Sequence, residues 1–183
     1  MLYAVYFGYM WLGAAVLAVA LYLHVSKKEE GYDGPLNVYG EKLQRCNDGG
    51  VTGDSSVGGT CSEEIGGVHQ ICAKDIGREG VNFSRVTAQG DWSDEKRGVN
   101  HCLCLGAWAN YAALADASNV ELKCSAIPET ALSPEYVSKW AKWNDNTVSG
   151  QARTGITSLV RKCSRGSTPS QLRYLNRLRD KIL

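Results

Sequence analysis

No charged side chain occurs between Met1 and Ser26. A helix buried in a water-soluble domain carries a polar face, and this stretch has none around its circumference. The chain also lacks a phosphate-binding G-x-x-x-x-G-K-[ST] loop, a dinucleotide G-x-G-x-x-G fingerprint, H-E-x-x-H, G-x-S-x-G and C-x-x-C. Without these there is no assembled catalytic constellation, and the expectation is a protein that is not an enzyme. No internal repeat or low-complexity tract divides the 183 residues, a length that suits one domain with appendages.

What is present begins with the uncharged run itself. As a helix, residues 2–25 would be about 36 Å long, enough to cross a hydrocarbon core of roughly 30 Å with some tilt. Tyr3, Tyr6, Tyr9 and Trp11 crowd one end, and Tyr22 and His24 mark the other, as in an interfacial aromatic belt. Residues 1–26 are therefore expected to be a single-pass transmembrane anchor, with Leu2, Tyr3, Phe7, Trp11, Leu17, Leu21 and Leu23 facing lipid. Ala18-Val19-Ala20 resembles a small-residue cleavage site, but no basic n-region precedes the apolar run. Lys27 and Lys28 follow at once. By the positive-inside rule they leave the rest of the chain on the cytoplasmic side and translocate the N-terminus.

Residues 27–35, with Gly31, Gly34 and Pro35, read as a linker; residues 36–143 as a small α+β domain containing cysteines; and residues 144–183 as a basic arm ending in an amphipathic helix. Val68–Ala73, Asn100–Leu105 and Val120–Ser125 read as strands, and Gly106–Ala117 as a helix. Ser133-Pro134-Glu135 and Thr168-Pro169 are helix starts, each a capping hydroxyl followed by proline at the first helical position. Charge divides with the arm: residues 149–183 carry eight basic side chains against Asp180, a balance of +7 that leaves −6 for the rest of a chain whose total is +1.

The seven cysteines are an odd number with no familiar secreted spacing. Small buried thiols are the default expectation, since they pack as apolar groups; a disulfide or a metal site is the alternative. Zinc would suit His69, Cys72, Cys102 and Cys104, because Cys102 and Cys104 repeat on one face of a strand and His69 stands three residues before Cys72. No other cofactor is expected. Cys104, just before the Gly106 helix, is the candidate reactive thiol. Glu63-Glu64 and Asp94-Glu95 read as solvated surface, and the sequon Asn82-Phe83-Ser84 as a chance occurrence.

In the arm, Leu172, Leu175, Leu178 and Ile182 form an apolar stripe flanked by Arg173, Arg177 and Arg179, with Arg161, Lys162 and Arg165 preceding it. These residues are expected to grip the acidic surface of a neighbouring protein. Lipid headgroups would suit the same charge. Nucleic acid suits it less, because Tyr174 is the arm's lone aromatic for stacking.

The ordered series Asn37-Val38-Tyr39-Gly40, Leu43, Cys46, Thr52-Gly53, Cys61, Gly67-Val68-His69-Gln70-Ile71-Cys72-Ala73, Gln89-Gly90-Asp91-Trp92-Ser93 and His101-Cys102-Leu103-Cys104, closing at Trp108, resembles a family of small, mostly bacterial domains of unknown function. Those domains read N-V-x-G, T-G, G-x-H-x-x-C-A, G-N-D-L-S and W-C-L-C in the same order. Here a single Cys61 stands where the family often has a cysteine pair, and His101 replaces the tryptophan. The resemblance covers residues 36–143 and implies a fold without an activity. The anchor, small domain and basic arm together resemble a minor capsid protein of a chlorella-type large icosahedral DNA virus. The expected role is a structural tether between an internal virion membrane and the surrounding shell, the alternative being a membrane-tethered thiol-redox or zinc-binding protein.

Overall fold

Two short runs with buried centres, His69–Lys74 (β1) and His101–Cys104 (β2), pair antiparallel in the computed structural model, which describes residues 32–47, 59–61, 69–115, 119–142 and 150–183. Cys72 stands opposite Cys102, and Ala73 opposite His101. The register shifts by one residue between His69 and Ile71, a bulge that bends the strand locally. On the other edge of β1, Glu121–Leu122 (β3) completes a three-stranded sheet of order β2-β1-β3. The expected strand over residues 120–125 is cut short: Lys123 N–H still bonds the Cys72 carbonyl at 3.0 Å, and the chain then tightens into a 3-10 turn over Cys124–Ala126.

The described residues form five α-helices: Phe83–Val86 (α1), Leu105–Leu114 (α2), Pro134–Lys142 (α3), Gly150–Ser164 (α4) and Pro169–Arg179 (α5). Both expected helix starts are present as cap chemistry. Tyr136 N–H donates to Ser133 Oγ at 3.1 Å. At α5, Gln171 N–H donates to Thr168 Oγ1 at 3.3 Å while Thr168 N–H donates to Gln171 Oε1 at 2.9 Å, a reciprocal box that satisfies two donors left open by helix geometry. Buried Trp108 and Tyr111 of α2 stack on the cluster around Phe83 and Ile71.

The division at residue 143 into a domain and a separate arm is corrected. Gly34–Leu183 form one compact unit, and Ile156, Leu159, Val160, Cys163, Leu175 and Leu178 belong to the same core as Trp108 and Ile71. In α4, Ala152, Ile156, Leu159, Val160 and Cys163 recur at helical spacing and form a buried stripe. That stripe meets α2 very closely. A Cβ on Gly155 would sit 2.7 Å from Ala109 Cβ and 2.8 Å from its Cα, and Trp108 Nε1–H donates to the Gly155 carbonyl at 2.9 Å. Glycine at this position is what lets the two helices touch.

The motif Asn37-Val38-Tyr39-Gly40 has a structural role. Asn37 is fully buried; its side-chain amide donates to the carbonyls of Lys42 and Ser125, and its Oδ1 accepts from the N–H groups of Tyr39 and Glu41. Gly40 adopts φ +76, and a Cβ there would strike the Tyr174 ring at 2.6 Å. The chain therefore needs glycine twice over at this turn.

Among the described residues no helix is long and apolar enough to cross a membrane. The anchor expected over residues 1–26, most of the linker, Glu63-Glu64 and Trp143 lie outside the described residues.

Candidate functional site

Two regions carry chemistry: the cysteines under the sheet and the basic face of α4 and α5. Six of the seven cysteines are paired, Cys46 with Cys72, Cys61 with Cys102 and Cys124 with Cys163, which corrects the expectation of buried thiols. The facing positions of Cys72 and Cys102 on β1 and β2 put two of the bridges side by side. The Sγ atoms of Cys46, Cys61 and Cys102 all lie within 4.8 Å of one another, and all three residues are buried. Cys46 is held by its own N–H to the Gly59 carbonyl at 2.8 Å and by Asn100 Nδ2–H to its carbonyl at 2.7 Å.

The expected metal set His69, Cys72, Cys102 and Cys104 is not what converges. Cys72 and Cys102 are neighbours, but their companions are Cys46 and Cys61, drawn from two loops, and not His69 and Cys104. Cys104 sits opposite His69 in the ladder, at the bulged end of the pairing. It keeps a free thiol and does stand at a helix start, its Sγ accepting from Ala107 N–H at 3.2 Å. Burial nevertheless pushes this thiol up, against the backbone donors of Ala107, Gly106 and Cys104 that pull it down. That direction runs against the reactive-thiol expectation for Cys104, because nucleophilic cysteines need the opposite shift. Cys163, within the stretch expected to be a separate arm, is the partner that ties α4 to the body through Cys124.

The second region is the outer face of α4 and α5. Arg153, Arg161, Arg165, Arg173, Arg177 and Lys181 are exposed. Arg179 pairs with Asp180 at 2.7 Å, and Arg177 stands 5.5 Å over the Tyr174 ring. An open groove of ≈ 350 Å³ runs beside α4, lined by Ala112, Arg153, Thr154, Thr157, Ser158 and Arg161. The apolar stripe assigned to a partner is largely taken up internally. Leu175 and Leu178 are buried in the chain's own core and Ile182 packs against it, so of the four only Leu172 is exposed. The reason is geometric: Gln171 Nε2–H reaches Glu41 at 2.9 Å and Tyr174 Oη–H bonds Glu129, folding α5 back onto the body, while Tyr39 Oη–H holds the end of α4 through the Cys163 carbonyl at 2.7 Å.

No family model matches the chain, and no curated protein and no solved structure does either.

Proposed function

We propose that this chain is a non-enzymatic tether: residues 1–26 anchor it in a bilayer, and the basic face of α4 and α5 binds the acidic surface of a neighbouring protein in a surrounding assembly. The observation that carries the reading is the uncharged run from Met1 to Ser26, bounded at once by Lys27 and Lys28. Its length suits a hydrocarbon core, and its flanking charge places the body on the cytoplasmic side. The exposed arginines supply a positive surface that steers and orients a partner of opposite sign. An assembly of this type is the capsid shell of a large icosahedral DNA virus of the chlorella type, wrapped around an internal membrane, with this chain as a minor capsid protein.

The full chain is expected to float with vesicles of neutral lipid in a density gradient, and residues 34–183 alone to stay at the bottom. Flotation of the truncated chain would remove the anchor. Charge reversal at Arg161, Arg165 and Arg173 is expected to leave flotation unchanged and to abolish co-purification with the assembly.

A further inference from the structure

Two disulfides need only two pairs of neighbouring cysteines. Nothing in that requirement brings sulfurs of different bridges together, yet here Sγ of Cys61 and Cys102 lies within 4.8 Å of Sγ of Cys46 from the other bridge. Cys72 Sγ is bonded to Cys46 Sγ. Three sulfurs thus lie within 4.8 Å of one another, those of Cys46, Cys61 and β2's Cys102, and the fourth, Cys72 on β1, is bonded to the first of them. All four residues are 0% exposed. Tetrahedral zinc with thiolates at about 2.3 Å requires sulfur–sulfur edges of about 3.8 Å, and three of the four sulfurs already lie within 4.8 Å of one another. Close sequence pairs of the C-x-x-C kind usually bring zinc ligands together. In this chain the antiparallel register that sets Cys72 opposite Cys102 does that work.

We propose that Cys46, Cys61, Cys72 and Cys102 form a redox-linked tetrathiolate site for a zinc-class cation. In the oxidised chain the four sulfurs are two disulfides. A dithiol reductant supplies two electrons and two protons to each bridge and leaves as its own disulfide, giving four thiols. Binding of the divalent cation then releases four protons and forms four metal–sulfur bonds. Either state ties the same two loops to the same two strands, so the fold is cross-linked on both sides of the redox change. Soft thiolates select zinc over magnesium or calcium, which prefer oxygen ligands. The inference rests on sulfur geometry and stands apart from the tether reading. The orientation proposed above adds one reason for it, because disulfides are rare in a reducing cytosol.

The test uses the full chain in detergent micelles with Cys104, Cys124 and Cys163 all replaced by serine, so that only the four sulfurs remain. Reduced with a phosphine and given cobalt(II), it is expected to bind about one ion per chain and to show the intense visible absorption of tetrahedral tetrathiolate cobalt, which zinc then bleaches. The oxidised chain is expected to bind none. The same titration on the reduced wild-type chain covers the case in which the triple variant does not fold. Absence of the cobalt bands in both reduced proteins, whether or not they are folded, would overturn the proposal. So would bands that survive Cys61→Ser together with Cys102→Ser.

Discussion

Cys46 and Cys61 lie outside the described helices and strands and are held by covalent and polar links, whereas α2 and α4 meet through an alanine and a glycine. On the first side, two adjacent bridges, the buried side chain of Asn37 and the half-buried side chain of Asn100 hold the chain around Cys46. On the second, the Gly155–Ala109 approach and a stripe of apolar residues carry the contact. Cys124–Cys163 is the one bridge that joins α4 to the turn after β3. The same unit is thus held by different means: Cys46 and Cys61 by sulfur and polar links to β1 and β2, and α4 by close helix packing together with one bridge.

The largest expected effect breaks the first side. Replacing Cys61 and Cys102 by serine, measured without metal, opens a loop with a sequence separation of 41 and is expected to cost about 4 kcal/mol on the chain-entropy account. Hydrogen exchange should then rise in β1 and β2 while α4 keeps its protection. Uniform loss of protection across both sides would mean that they unfold as one unit and are not separately held.

Gly155→Ala tests the second side. The nearest atoms to the added methyl include Ala109 Cα, and backbone cannot swing away as a side-chain tip can. Overpacking of this kind costs roughly 1–3 kcal/mol, offset in part by the roughly 0.5–1 kcal/mol that alanine gains over glycine inside a helix. The net result expected in urea unfolding is a lower midpoint, with part of the loss recovered by Ala109→Gly on the same chain. A raised midpoint would show that the helices are free to separate.

How much of this could be read in the residues depends on how local each cause is. The caps at Ser133 and Thr168 are chemistry between neighbours, so the starts of α3 and α5 are legible, and β1 and β2 are legible as short runs with apolar centres. Helix α4 was not. Arg153, Arg161, Lys162 and two glycines interrupt its apolar positions, and the charge drew attention away from Ile156, Leu159 and Cys163. The cysteine pairing was hidden for a different reason. Partners 26, 39 and 41 residues apart are brought together by sheet register and helix docking, so reasoning from nearby positions chose His69 and Cys104 where Cys46 and Cys61 converge. The stripe Leu175 and Leu178 was seen correctly as apolar, but nothing local says whether such a stripe meets a partner or its own chain.

A smaller effect is expected at the start of α5. Thr168→Ala removes one half of the capping box and should cost about 1 kcal/mol, with faster amide exchange confined to the first turn of the helix. A cost near zero would mean that docking through Tyr174 and Gln171, and not the cap, sets where α5 begins.

The last prediction concerns that docking contact and its dependence on pH. Burial first, then the hydrogen bond to Glu129 and its charge, push the Tyr174 phenol up to about 12, against the opposing effect of Arg177. An unfolded tyrosine titrates near about 10, so the folded chain holds this proton more tightly. The contribution is therefore fully present below about pH 10 and is lost as the pH rises toward about 12, where folded chains too must give the proton up. Tyr174→Phe removes both the bond and the titrating group. Comparing urea midpoints at about pH 9 and about pH 11.5, the wild-type chain should lose more stability than the phenylalanine variant, because other alkaline groups are common to both and cancel in the difference. Equal losses would mean that α5 stays docked without the Tyr174 proton, and that the helical side depends on its apolar stripe alone.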